Sequence, residues 1–132
     1  MISERVSAIK NKNVEKAAAG YHPHVISYNV VGPLKLVGID TLKKRLEGWL
    51  STRSKIIDYE ITDIDIKTSG ELACCSGLNH IQAIKNDGDK LDMWWRETTC
   101  YTREKDNRKV IHAYSSVPFD AKNGNAFVSL KP

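Results

Sequence analysis

Trp94–Phe119, WWRETTCYTREKDNRKVIHAYSSVPF, reads as two long strands folded back on each other about a charged turn at Lys105-Asp106-Asn107. Asn and Asp tolerate tight and positive-φ geometry, so the two halves are expected to be antiparallel neighbours. The same reasoning extends backwards along the chain. Thr68-Ser69-Gly70 and Asn86-Asp87-Gly88-Asp89 are further turns, and together they mark out four strands: Ile56 to Lys67, Glu71 to Lys85, Lys90 to Arg103 and Arg108 to Pro118. In the first of them Ile57, Tyr59 and Ile61 share one face while Ile64 and Ile66 fall on the other. A bulge near Thr62-Asp63 would reconcile the halves and curve the sheet.

Ahead of these strands the apolar period is helical. Ile39, Leu42, Leu46, Trp49 and Leu50 recur at helix spacing between Ile39 and Ser51. Ser3 to Lys12 carries Val6 and Ile9 as a short amphipathic helix, and Asn13 is placed to cap a second one over Val14 to Gly20. Pro23 is expected to stop that helix, and His24 to Val31, HVISYNVV, has the β-branched alternation of a strand broken by Gly32-Pro33. The wide apolar stripe that ends in Trp49 needs a broad partner, and only sheet supplies one. The expected fold class is α+β: a cone-shaped, curved antiparallel sheet wrapped around N-terminal helices, with a cavity at one end. A length of 132 residues fits one domain, 1–132. The tail from Asp120 to Pro132 is polar except for Ala126, Phe127, Val128 and Leu130, and is expected to add a short edge strand or pack across a partner.

Composition excludes several functions. The net charge is +4, but Lys and Arg are mixed with acids, and the one basic run, Lys43-Lys44-Arg45, has no interleaved aromatics, so nucleic acid is not an expected partner. No apolar run approaches the roughly 20 residues of a membrane span, and MISERVSAIK lacks a signal-peptide core. A soluble, cytoplasmic protein without a membrane partner is expected. Cys74, Cys75 and Cys100 are odd in number and show no CxxC spacing, so they outline neither a disulfide framework nor a zinc site and read as reduced strand residues. His22-Pro23-His24 has no acidic or cysteine ligand in the same motif, so no metal is expected. There is no phosphate loop or nucleophile elbow, and no cofactor is expected.

The element order, together with VVGPLKLVGIDTLKKRLEGW, GELACCSGLNHIQAIKNDGDKLDMWWRET, the Arg96-x-Thr98 pair and the closing VIHAYSSVPFDAKNGNAFVSLKP, resembles the SnoaL-like, ketosteroid-isomerase-like group of the nuclear-transport-factor-2-like superfamily. In ketosteroid isomerases the general base is an aspartate before the glycine turn, and that motif falls on Asn29, which cannot take a proton. The oxyanion acid falls on or next to Cys100 and the oxyanion tyrosine near Arg5, so steroid isomerisation by that mechanism is rejected. The aspartate and histidine of SnoaL-like cyclases find no secure match. The family pattern also has a second histidine where this chain has Tyr114 and a tryptophan near Arg108.

Strand period and the resemblance together imply an inward set of Arg96, Thr98 and Cys100, with Ser76, Leu78 and His80 beside it and Ala113, Ser115 and Val117 on the last strand. The opposite set, Trp95, Tyr101, His112 and Tyr114, would form an outer sheet face suited to a homodimer. A shift of one residue exchanges the two sets. An inward Arg96 needs an anion, from a strand acid such as Asp92 or from a ligand. His80 is the candidate acid–base, or else a satisfied core histidine. Asn29 would bind a carbonyl or hydroxyl at the cavity mouth, or be a plain buried amide; Tyr28 beside it points to the other face. The expected function is binding of a small apolar or anionic molecule in a partly apolar pocket. That pocket serves either acid–base chemistry by an isomerase, cyclase or dehydratase, or a non-catalytic binding or oligomerisation module.

Overall fold

The computed structural model describes residues 2–132. It opens with α1 (Ile2–Lys10), which buries Ala8 and Ile9. Asn13 then caps α2 (Val14–Ala18), its side-chain oxygen accepting from the Lys16 amide at 3.1 Å. Strand β1 (Tyr21–Tyr28) begins earlier than the sequence suggests, and Pro23 lies inside it instead of ending the helix. The reason is in the pairing: β1 loses register with its neighbour between Tyr21 and Ile26, so the missing proline N–H costs no ladder bond. A two-residue strand, β2 (Leu36–Val37), was not legible in the sequence, and α3 (Ile39–Ser51) follows where its apolar period places it.

The four long strands are β3 (Arg53–Ser69), β4 (Leu72–Lys85), β5 (Lys90–Glu104) and β6 (Asn107–Ser116). They build one six-stranded sheet in the order β2-β1-β6-β5-β4-β3. All neighbours are antiparallel except β1 and β6, which run parallel. The bend expected near Thr62-Asp63 is present: the β3–β4 register shifts between Thr62 and Asp65, and Asp63 takes φ 53°. Gly77 on β4 permits this fold-over, since a Cβ there would stand 3.1 Å from both Ile61 Cγ2 and the Thr62 carbonyl oxygen. The sheet curves around the helices as a result.

Two apolar clusters hold helices to sheet. One joins Ala8, Ile9, Ala17 and Leu50 to Ile56, Tyr59, Ile81 and Ala83; the other joins Leu42 to Val25, Val110 and Ala113. The tail adds a single bridge, Phe119 to Ala126, and leaves Phe119, Phe127, Val128 and Leu130 exposed. Among the described residues no helix is long and apolar enough to cross a membrane.

Candidate functional site

A cavity of about 270 Å³ lies between the helices and the inner sheet face, touching both apolar clusters. Its walls are mostly apolar: Ile9 of α1, Leu42, Leu46 and Trp49 of α3, Ile81 of β4, and Leu91, Met93 and Trp95 of β5. Its polar groups are Arg5, Tyr21, Ser27, Asn29, Arg45, Arg53, Tyr59, Glu97 and Ser115.

The face that β4 and β5 turn inward is the opposite of the one expected. Arg96, Thr98 and Cys100, with Ser76, Leu78 and His80 paired beside them, share the outer face with Glu60, Asp92 and Tyr114. Trp95 and Tyr101 pack inward against the two clusters. The physical reason is apolar burial. Leu91, Met93 and Trp95 occupy alternate positions of β5, and burying each such side chain is worth about 1.5–3 kcal/mol. Turning Arg96 inward would forfeit that gain and desolvate a charge. Arg96 is instead exposed, donating from Nε to Ser116 Oγ at 3.1 Å. On β6 the expected face is the observed one: Ala113 and Ser115 line the cavity, His112 and Tyr114 point out, and Val117 lies past the strand end. Asn29 also lines the cavity, accepting from the hydroxyl of buried Ser27 at 2.7 Å.

The inward parity brings Glu97 into the apolar interior, where a carboxylate needs a partner. Arg5 of α1 supplies it: Nη2 donates to Glu97 Oε1 at 2.5 Å and Nη1 to the Tyr21 hydroxyl at 3.3 Å. Ser115 Oγ donates to the other carboxylate oxygen at 3.4 Å. Burial works against the Arg5 charge, but Tyr21 and Glu97 outweigh it and raise its pKa well above the ordinary value. Burial pushes the Tyr21 and Tyr59 hydroxyls up, so both stay protonated. Tyr59 in turn accepts from Asn79 Nδ2 at 2.8 Å. The position to which the isomerase pattern assigns a tyrosine therefore carries a guanidinium already committed to Glu97.

The basic run of α3 divides three ways. Lys43 pairs with Glu15 at 3.1 Å, Lys44 is exposed, and half-buried Arg45 lines the cavity. Among the described residues no carboxylate pairs with Arg45, in contrast to Arg5. Arg53, at the cavity wall, lies over the Trp49 ring at 4.5 Å and donates to the Trp49 carbonyl at 2.8 Å; burial lowers its pKa.

His80 is a cross-strand tie on the outer face. Its Nδ1 meets Glu60 Oε1 at 3.0 Å, its Nε2 meets Asp92 Oδ1 at 2.6 Å, and its ring stacks on Trp94 at 4.1 Å. Burial disfavours the imidazolium, yet the hydrogen bonds to Glu60 and Asp92 prevail and raise the pKa. Both ring nitrogens are occupied and neither faces the cavity, so His80 is not positioned to move a proton there.

This architecture is the nuclear-transport-factor-2-like fold, an α+β fold with a curved sheet closed by helices. Similar solved structures include an NTF2-like protein of unknown function from Pseudomonas putida, with a TM-score of 0.87 and 22% identity over 99% of this chain and 91% of that one. A Xanthomonas campestris protein, provisionally described as a calcium/calmodulin dependent protein kinase II association domain, has a TM-score of 0.75 and 19% identity over 86% and 80% of the two chains. A Streptomyces avermitilis NTF2-like protein, provisionally described as a dehydratase, has a TM-score of 0.76 and 13% identity over 89% and 92%. The chain itself belongs to the calcium/calmodulin dependent protein kinase II association domain family, whose model matches residues 1–118. No curated protein matches it. The superfamily expected from the residues is the one found, and within it the matching family model is that of the association domains.

Two predictions follow from these contacts. Arg5→Met strands Glu97 in the interior and is expected to cost about 3–5 kcal/mol in urea denaturation, whereas Arg5→Met with Glu97→Leu recovers most of that loss. The raised His80 pKa places its stabilising increment fully below the unfolded value of about 6.5, and the increment disappears as pH rises through the folded value. Wild type is therefore expected to lose stability relative to His80→Gln as pH rises above about 6.5 and through the raised folded value, measured by urea midpoints.

Proposed function

We propose that residues 1–132 form one association-type domain, which assembles with copies of itself and holds a small, apolar-tailed anion such as a carboxylate in its cavity, without catalysing a reaction. The observation that carries the ligand class is Arg45: a guanidinium set in an apolar wall, with no protein carboxylate to neutralise it among the described residues. Such a group favours an anion from outside. The volume of about 270 Å³ sits below the roughly 300–1,000 Å³ of pockets for drug-sized ligands, which favours a small molecule. Trp49, Met93 and Trp95 offer the surface for its apolar part.

Absence of catalysis is supported by the state of the candidate groups. Glu97 is engaged by Arg5, Tyr21 and Tyr59 are held protonated, and His80 lies on the far side of the sheet. Self-association is suggested by the family and by the outer face of β1 and β6. There Tyr28 contacts His112 and Tyr114 edge-on at 5.0 and 6.3 Å, and Tyr28, Tyr114 and nearby Val37 remain exposed. Aromatics on an open sheet face are typical interface anchors.

Calorimetric titration with hexanoate is expected to show saturable binding that weakens at least about tenfold in Arg45→Ala, close to 1.4 kcal/mol, and is unchanged in Arg96→Ala. Loss in Arg96→Ala with retention in Arg45→Ala would overturn the ligand site. Light scattering at micromolar concentration is expected to show an oligomer, and a monomer would remove the assembly reading.

A further inference from the structure

Cys74 and Cys100 are 26 positions apart in sequence, but the β4–β5 register sets them directly opposite each other. That register runs without a shift from Leu72–Thr102 to Ile84–Lys90. It can be phased from one bond at its end: the Arg103 amide donates to the Glu71 carbonyl at 2.9 Å, which makes Glu71 and Arg103 a hydrogen-bonded pair. Antiparallel pairs alternate, so Leu72–Thr102 is non-bonded, Ala73–Tyr101 bonded and Cys74–Cys100 non-bonded. Non-bonded partners have Cα atoms about 4.5 Å apart with their side chains at closest approach on one face. A disulfide accepts Cα separations of about 4.4–6.8 Å, so the pair falls at the short end of the permitted range.

We propose that Cys74 and Cys100 form an oxidisable dithiol that closes into a cross-strand disulfide on the outer sheet face, with a hydroperoxide as oxidant. Cys74 is exposed and meets the oxidant first, while Cys100 is half-buried behind it. The Cys74 thiolate attacks one oxygen of hydrogen peroxide, the O–O bond breaks, and hydroxide leaves Cys74 as a sulfenic acid. The Cys100 sulfur then attacks the Cys74 sulfur; the S–O bond breaks, and the departing oxygen leaves as water with the Cys100 proton. In sum two thiols and one peroxide give one disulfide and two waters, the sulfurs losing two electrons and the peroxide gaining them. Burial and the neighbouring Cys74 push the Cys100 thiol up, which suits it to the resolving role and leaves the first attack to Cys74. Cys75, the immediate neighbour of Cys74, is buried on the opposite face and is excluded from the reaction by strand alternation. A bridge that is short across its Cα atoms and exposed at one sulfur belongs to the readily reopened class.

The test treats the native full-length chain with hydrogen peroxide, blocks free thiols with iodoacetamide and maps the digest by mass spectrometry. The expected result is an intrachain Cys74–Cys100 link that also forms in Cys75→Ser, is absent in Cys74→Ser, and reopens with dithiothreitol without denaturant. A link through Cys75, a link between chains, oxidation of Cys74 to sulfinic acid without a bridge, or three thiols still free would each overturn the proposal.

Discussion

A carboxylate and a guanidinium buried together at an apolar cavity complete the facing of the central strands that Leu91, Met93 and Trp95 set by their burial. Glu97 can lie inside only because Arg5 reaches it from α1, with Tyr21 and Ser115 completing the hydrogen bonds. The pair ties the first helix to the middle of the sheet. A buried ion pair contributes little net stability compared with an apolar substitute, because desolvation offsets attraction, but losing one partner is costly. Its effect here is to penalise the slipped register, in which Glu97 would face solvent and Arg5 would be buried alone. The pair also engages Arg5 and Glu97 with each other, whereas Arg45 and Arg53 line the cavity without a carboxylate partner among the described residues.

The outer face follows from the same alternation. With Leu91, Met93 and Trp95 inside, Asp92, Trp94 and Arg96 must be outside, and His80 meets them there across the β4–β5 pairing. Its contacts to Glu60 and Asp92 link three strands where the sheet has no helix behind it. The Cys74–Cys100 pair lies further along the same two strands, with His112 opposite Cys100. Cavity and thiol pair are thus separated by the thickness of the sheet.

Much of this was legible in the residues. The turns marked four long strands, the change of face from Tyr59 and Ile61 to Ile64 and Ile66 located the bend at Asp63, and the period of α3 announced a sheet beneath it. Ile57 was expected to share the face of Tyr59, but a register shift between Ile56 and Asp58 buries Ile56 and leaves Ile57 exposed. On β4 and β5 what failed was side, not element. Leu91, Met93 and Trp95 carried the correct parity of β5, but the Arg96-x-Thr98 resemblance pointed to the other set, and His80 and Cys100 went with it. On β6, Ala113 and Ser115 were expected on the cavity side as companions of Arg96 and Thr98; they do line the cavity, but paired with Thr99 and Glu97. The Arg5–Glu97 contact had no local signal, since it joins residues 92 positions apart. Once Glu97 is recognised as an acid in an apolar alternation, however, a buried cation is required, and Arg5 lies four residues before buried Ile9 on the same helix face. Strand β2 is only two residues long and its pairing with β1 is a tertiary event, which no local pattern announces.

The most direct measurement is a crystal structure of the protein grown with hexanoate. The account predicts the carboxylate on the Arg45 guanidinium, the chain against Met93 and Trp95, and Arg5 still bonded to Glu97. Hexanoate bound at Arg96 on the outer face, or bound to Arg5 with Glu97 displaced, would contradict it.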